Sequence, residues 1–306
     1  MIGWPRSPGS MHFQFGHAVA TLAALALLSV TVLTGCRDIP SALTGLIDAR
    51  QRASALHVEF TKAADASNRA VMADTDDASA AAADEARKGR ELAERNLQAL
   101  KPLLDSLGYR DDLRYLEGFA GRFDEYRKLD DEILPLAVEN SNLKAQRLSF
   151  GAGREAADAM STALAAVVNT SSTPGRTRAD TLAARARIGV LEVQVLQAPH
   201  IAEPEDSEMT RLEEQMSAAA GAARKALEEL KAIAPASASA QVAAAGAALT
   251  RFMEVNAEIV TLSRRNTNVR SLALSLGRKR NVTAECEDQL RALEQALARH
   301  EFTATR

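Results

Sequence analysis

The chain has 306 residues, 46% hydrophobic but only 4% aromatic, with 37 Lys and Arg against 40 Asp and Glu. Both signs are interspersed and no basic patch stands out, so the sequence carries no electrostatic footprint for nucleic acid. Two Cys and, beyond the leader, three His (His57, His200 and His300) far apart in sequence give no metal-ligand spacing, and there is no nucleophile elbow or phosphate loop, so neither an enzyme, a metal site nor a cofactor is expected.

In chain order, the first feature is an apolar run from Ala18 to Val32, closed by Leu33-Thr34-Gly35-Cys36. This box resembles the lipobox of bacterial lipoproteins. The resemblance implies an export signal over 1–35, lipid attachment at Cys36, a tether over 36–40, and a chain anchored in the bacterial cell envelope facing the periplasm. Arg37 rather than Asp follows the Cys, which by resemblance to enterobacterial sorting favours the outer over the inner membrane. An uncleaved anchor and a buried core helix also fit a run of this length, and hydropathy alone does not separate them.

Beyond the leader, the Ala, Leu, Glu, Arg-rich composition with sparse Gly and Pro predicts helices and no strands. Breaks at Asp74–Asp77, Leu107–Asp111, Asn169–Arg176, Pro199–Pro204 and Ala234–Ser237 delimit helices at about 41–74, 78–107, 111–169, 178–198, 205–233 and 237–298. Pro102 and Pro135 fall inside two of them and should kink them. Asn140-Ser141-Asn142 with Ser149, Gly151 and Arg154 matches Asn266-Thr267-Asn268 with Ser275, Gly277 and Arg280, at one constant offset. The expected fold is therefore all-α: an elongated antiparallel four-helix bundle built from a duplicated short-short-long helical unit, six helices of which two are long. The bundle spans 41–298, with repeats at about 41–170 and 178–298 and a tail over 299–306. Two short helices laid end to end would match each long one, giving a hairpin of about 90 Å at 1.5 Å per residue. The seams expected on the long helices are Phe123, Tyr126, Leu129, Ile133, Leu136, Leu143 and Phe150, and Phe252, Val255, Ile259, Leu262, Val269, Ala273 and Leu276.

Asn140 and Asn266 interrupt these seams where Leu would be expected. One reading is structural: a buried amide donates and accepts, and can satisfy the open backbone groups at a helix break. The other is functional, with Asn140, Asn142, Arg147, Asn266, Asn268 and Arg270, together with Asn68 and Arg69, lining a polar ligand pocket. His57 and Cys286 are expected in or beside the core, and acid pairs such as Asp111-Asp112, Asp130-Asp131 and Glu213-Glu214 on solvated faces or caps.

The six-helix pattern, with the Leu56–Phe60 and Asn68–Met72 segments and Glu139-Asn140-Ser141-Asn142, resembles the periplasmic sensor domains of methyl-accepting chemotaxis receptors, the helical bimodular type in particular. That resemblance implies a small organic acid or amino acid bound between helices, Arg meeting its carboxylate, and pairing as a homodimer. Those receptors continue into a signalling coil, which this sequence does not contain, so a ligand-binding module without a signalling domain is expected. The alternative is a structural or adaptor envelope protein acting through protein contacts.

Overall fold

The computed structural model describes residues 38–171 and 173–300. The expected signal and Cys36 lie outside these residues. Every regular element among the described residues is helical, in six stretches. The first is α1, Asp38–Met72. Thr75 then opens α2, Asp76–Leu107, its hydroxyl accepting from the Ala78 N–H at 3.2 Å, and Gly108 closes it in the left-handed region at φ 72°. The third stretch runs through α3 (Arg110–Glu139), α4 (Ser141–Leu148), a π-helical turn (Ser149–Gly153) and α5 (Arg154–Thr170). Next come α6, Thr173–Ala202, and α7, Asp206–Ile233. A short 3-10 turn after Pro235 leads into the last stretch: α8 (Ser239–Arg265), α9 (Thr267–Leu274), a second π-helical turn (Ser275–Lys279) and α10 (Arg280–Arg299).

The short helices do not run end to end. α1 and α2 fold back side by side, as do α6 and α7. A close approach makes this compatible with the sequence: a Cβ on Gly89 would sit 2.9 Å from that of Ala63, and one on Gly189 would sit 2.6 Å from the Ala219 carbonyl oxygen. The helices consequently pack as two groups of four with separate cores. One core joins α1, α2, α3 and α10, and the other joins α5, α6, α7 and α8. Aromatic residues concentrate in the first, where Phe60 meets the edges or faces of Phe119, Phe123 and Tyr126 at centroid distances of 5.1–6.0 Å. The second relies on Ala, Leu, Val and Met around Phe252.

Both long stretches, expected to be continuous, are broken at their midpoints. Asn140 and Asn266 each take φ 53°, the two non-glycine residues with positive φ among those described. Asparagine is the non-glycine residue that visits this region most readily, because its short amide can bond locally. The π-turn after each break rotates the helix further, so the expected seams hold only up to the break. Phe123, Tyr126, Ile133, Phe252, Val255 and Ile259 are buried, whereas Phe150 and Leu276, at matching places beyond it, are 67% and 62% exposed. Pro102 and Pro135 lie within α2 and α3 and interrupt neither.

Candidate functional site

At the two breaks the long stretches cross and cap each other. A helix start leaves its first N–H groups without intrahelical partners. Here Ser141 N–H donates to Thr267 Oγ1 at 3.0 Å and Asn142 N–H to Asn268 Oδ1 at 3.1 Å. In return, Thr267 N–H donates to Ser141 Oγ at 3.1 Å and Asn268 N–H to Asn142 Oδ1 at 3.1 Å. Every one of these bonds spans 126 residues, the offset seen in the sequence. Side-chain amides close the layer: Asn142 Nδ2 donates to Asn266 Oδ1, and Asn268 Nδ2 to Asn140 Oδ1, both at 2.8 Å. Asn142 and Asn266 also donate to the Ile201 and Glu203 carbonyls, satisfying the end of α6.

The four asparagines expected to line a pocket are thus brought together; their amides bond one another and the backbone, except that Asn140 Nδ2 is buried without a hydrogen-bond partner. The other expected site residues lie outside this node. Arg147 is exposed and pairs with Asp76 at 2.9 Å, and Arg270 is exposed. Arg69 pairs with Asp65 and Glu85 on the surface, and Asn68 accepts from Ser275 Oγ at 3.2 Å.

A charged centre that the sequence reading missed lies in the first core. Asp130, expected on a solvated face, is fully buried, and Lys279 is 2% exposed. Lys279 Nζ reaches Asp130 Oδ1 at 2.8 Å and also contacts Ser67 Oγ, which donates to the same carboxylate oxygen at 2.5 Å. The ammonium lies 5.1 Å from the Tyr126 ring centroid. Burial lowers the Lys279 pKa, opposed by Asp130, and burial raises the Tyr126 phenol well above its ordinary range. Asp130 Oδ2 and the Tyr126 hydroxyl are buried without a hydrogen-bond partner. Arg90 Nη1 stands 3.8 Å from that Oδ2 while bonding Asp131 at 2.7 Å.

Arg90 and Asp131 also line a cleft of about 750 Å³ along α2 and α3. Its other walls are Arg87, Arg95, Arg127 and Lys128, with Glu91, Glu94 and Asp124. Cleft and buried centre therefore share Arg90. At the corresponding places of the second core, 126 residues away, Asp130 becomes Asn256, Arg90 becomes Met216, Tyr126 becomes Phe252, Ser67 becomes Val193 and Lys279 becomes Gly153. Asn256 Nδ2 lies 3.9 Å from Met216 Sδ, and Arg90 Nη1 lies 3.8 Å from Asp130 Oδ2.

The second core has its own polar group, neutral at its deepest point. Gln197 donates to Asn256 Oδ1 at 2.8 Å and accepts from Ser149 Oγ at 2.6 Å. Nearer the breaks, fully buried His200 lies 2.6 Å from Ser263 Oγ through Nδ1 and 2.9 Å from Glu213 Oε1 through Nε2. Arg264 donates to Glu213 at 2.6 Å, and with His200 it holds that carboxyl below its usual range against the effect of burial. In the first core, Cys286 is buried as expected, its thiol pushed up to about 12 by burial.

Among the described residues no group of three or more His, Cys, Asp or Glu is placed to hold a metal ion. None of the described helices is long and apolar enough to cross a membrane. Comparison of the chain with protein-family models and with curated proteins gives no match.

Proposed function

We propose that the protein is a lipid-anchored, extracytoplasmic module, built by duplication of a short-short-long helical unit, that binds a small organic acid or amino acid in its first group of helices. The observation that carries this reading is the Asp130–Lys279 pair beneath the charged cleft. Burying an ion pair costs about as much in desolvation as its attraction returns, so it is weak support for stability. At the offset of Asp130 the second core carries Asn256 instead. A charged centre present in one half of a repeated scaffold, next to a cleft bearing both cations and carboxylates, fits recognition of a carboxylate or zwitterion. Its connection to the rest of the molecule runs along α3 and α10 into the capped breaks, so that a ligand favouring one packing of the first group would bias the second.

The test is thermal unfolding of the full chain across organic acids, amino acids and polyamines, since a ligand that binds only the folded state raises the midpoint. A concentration-dependent shift that is lost in Arg90→Ala supports the proposal. No shift with any of these compounds refutes it. The alternative, an envelope adaptor working through protein contacts, is favoured by a separate observation: an apolar stripe that α6 leaves exposed.

A further inference from the structure

Helix α6 is apolar on two opposite faces. Leu182, Ala183, Ala186, Val190 and Val193 enter the second core, while on the far side Ile188, Leu191 and Val195 are 51%, 56% and 73% exposed. A helix with apolar residues all round is ordinarily covered all round. The exposed residues recur at spacings of four and three, continuing through Thr181 and Ala184. In heptad terms Thr181, Ile188 and Val195 occupy a positions, and Ala184 and Leu191 occupy d positions. β-Branched residues at a with Leu at d favour a parallel two-stranded pairing.

The flanking charges favour the same arrangement. Asp180 and Arg187 fall at g, and Arg185 and Glu192 at e. A parallel, in-register pair brings each g position against the e position five residues further along the other helix. This apposes Asp180 to Arg185 and Arg187 to Glu192, opposite signs in both cases, and each twice by symmetry. None of these four side chains takes part in an ion pair among the described residues, although exposed charges elsewhere on the surface commonly do. Beside the stripe, Ala218 and Ala222 of α7 floor a shallow apolar groove that leaves room for a neighbouring ridge.

The geometry points to a second copy of this chain as the occupant: α6 pairs in parallel and in register with its equivalent, through Ile188, Leu191 and Val195. This is independent of ligand binding in the first group of helices. The experiment is equilibrium sedimentation of the full chain over a wide concentration range, with circular dichroism to verify that each variant is folded. The expected result is a monomer–dimer equilibrium that Ile188→Lys abolishes. Arg187→Glu should weaken it by about three- to tenfold at low salt, and adding Glu192→Arg should restore it. Oxidation of Leu191→Cys and, separately, of Ala184→Cys should each link two copies, because a parallel register places both positions against themselves whereas an antiparallel one does so only at its centre. A chain that stays monomeric overturns the proposal and leaves the stripe to a different protein. A dimer indifferent to Ile188→Lys, or one in which the double charge swap fails to restore association, overturns it as well.

Discussion

Replacing Lys279 with Met removes the cation bonded to buried Asp130 and leaves its carboxylate in a site with essentially no solvent access. Breaking a buried pair in this way costs about 3–5 kcal/mol, because the remaining charge has neither water nor partner. The structure argues for the lower end. Ser67 still donates to Asp130, and Arg90 needs to move only from 3.8 Å to bond its free oxygen. Adding Asp130→Leu removes the stranded charge, and the double variant should be as stable as the parent or up to about 4 kcal/mol more stable. Urea unfolding followed by circular dichroism reads both values. A single variant that loses less than about 1 kcal/mol, or a double variant no better than the single, refutes the reasoning. A pH arm checks the sign. Because the Lys279 pKa is lowered by folding, the unfolded chain binds more protons just below the ordinary lysine value of about 10.4, so parental stability gains there as pH rises. The Lys279→Met chain lacks that gain, which a stability profile between neutral and alkaline pH will reveal.

Further outcomes follow from other parts of the molecule. Asn266→Ala should be less stable than Asn266→Gly by about 1–2 kcal/mol, since both lose the amide bonds but only alanine is strained at φ 53°; chemical denaturation of the pair measures the difference. Gly189→Ala should cost about 1–3 kcal/mol, because its methyl would meet the Ala219 carbonyl oxygen at 2.6 Å where α6 and α7 come closest. Neutral stability should fall less than about 0.5 kcal/mol for Gly221→Ala, where nothing stands within 4 Å. Glu213 titrates below its ordinary value because of Arg264 and then His200, so its contribution is present above about pH 4.3 and disappears as pH falls through the folded value. The stability gap between the parent and Glu213→Gln should therefore narrow on acidification, and a gap constant from neutral pH to pH 3 would contradict this.

Helix limits were the most readable part of the sequence. Thr75, Gly108 and Pro235 punctuate local backbone whose conformation they largely dictate, and observed ends fall within a few residues of those expected. α6 is the exception: it extends from Thr173 to Ala202, past the expected end, with Pro199 accommodated in its last turn. Side-by-side packing of α1 with α2 was not readable, because matching lengths permit end-to-end and folded-back arrangements equally, and the choice rests on close contacts at Gly89 and Gly189. The asparagines attracted notice for interrupting a seam. Their left-handed backbone did not, since a helical pattern continues on both sides. Asp130 was hidden by adjacency: next to Asp131 it reads as a surface acid, and only its partner Lys279, itself in step with Val282 and Cys286 on the buried face of α10, marks the site. His200, Glu213 and Ser263 come from three different helices, a meeting that only the fold produces.

The order of the helices also nests one core inside the other. Everything in the second core is drawn from a continuous span of chain between α5 and α8. The first core takes three helices from one end of the described chain and its fourth, α10, from the other. Its closing bonds are correspondingly distant: Arg50 Nε donates to the Leu297 carbonyl across 247 residues, and His57 Nδ1 meets Glu294 across 237. A chain emerging from its N-terminus therefore displays the aromatic residues of α1 and α3 and the apolar face of α2 first and covers them last, after the inner four helices have had time to assemble. Truncation should respect this asymmetry. Removing α10 opens the outer core while the inner one retains all its helices, so chaperone dependence and proteolytic sensitivity should concentrate in the half that was synthesised first.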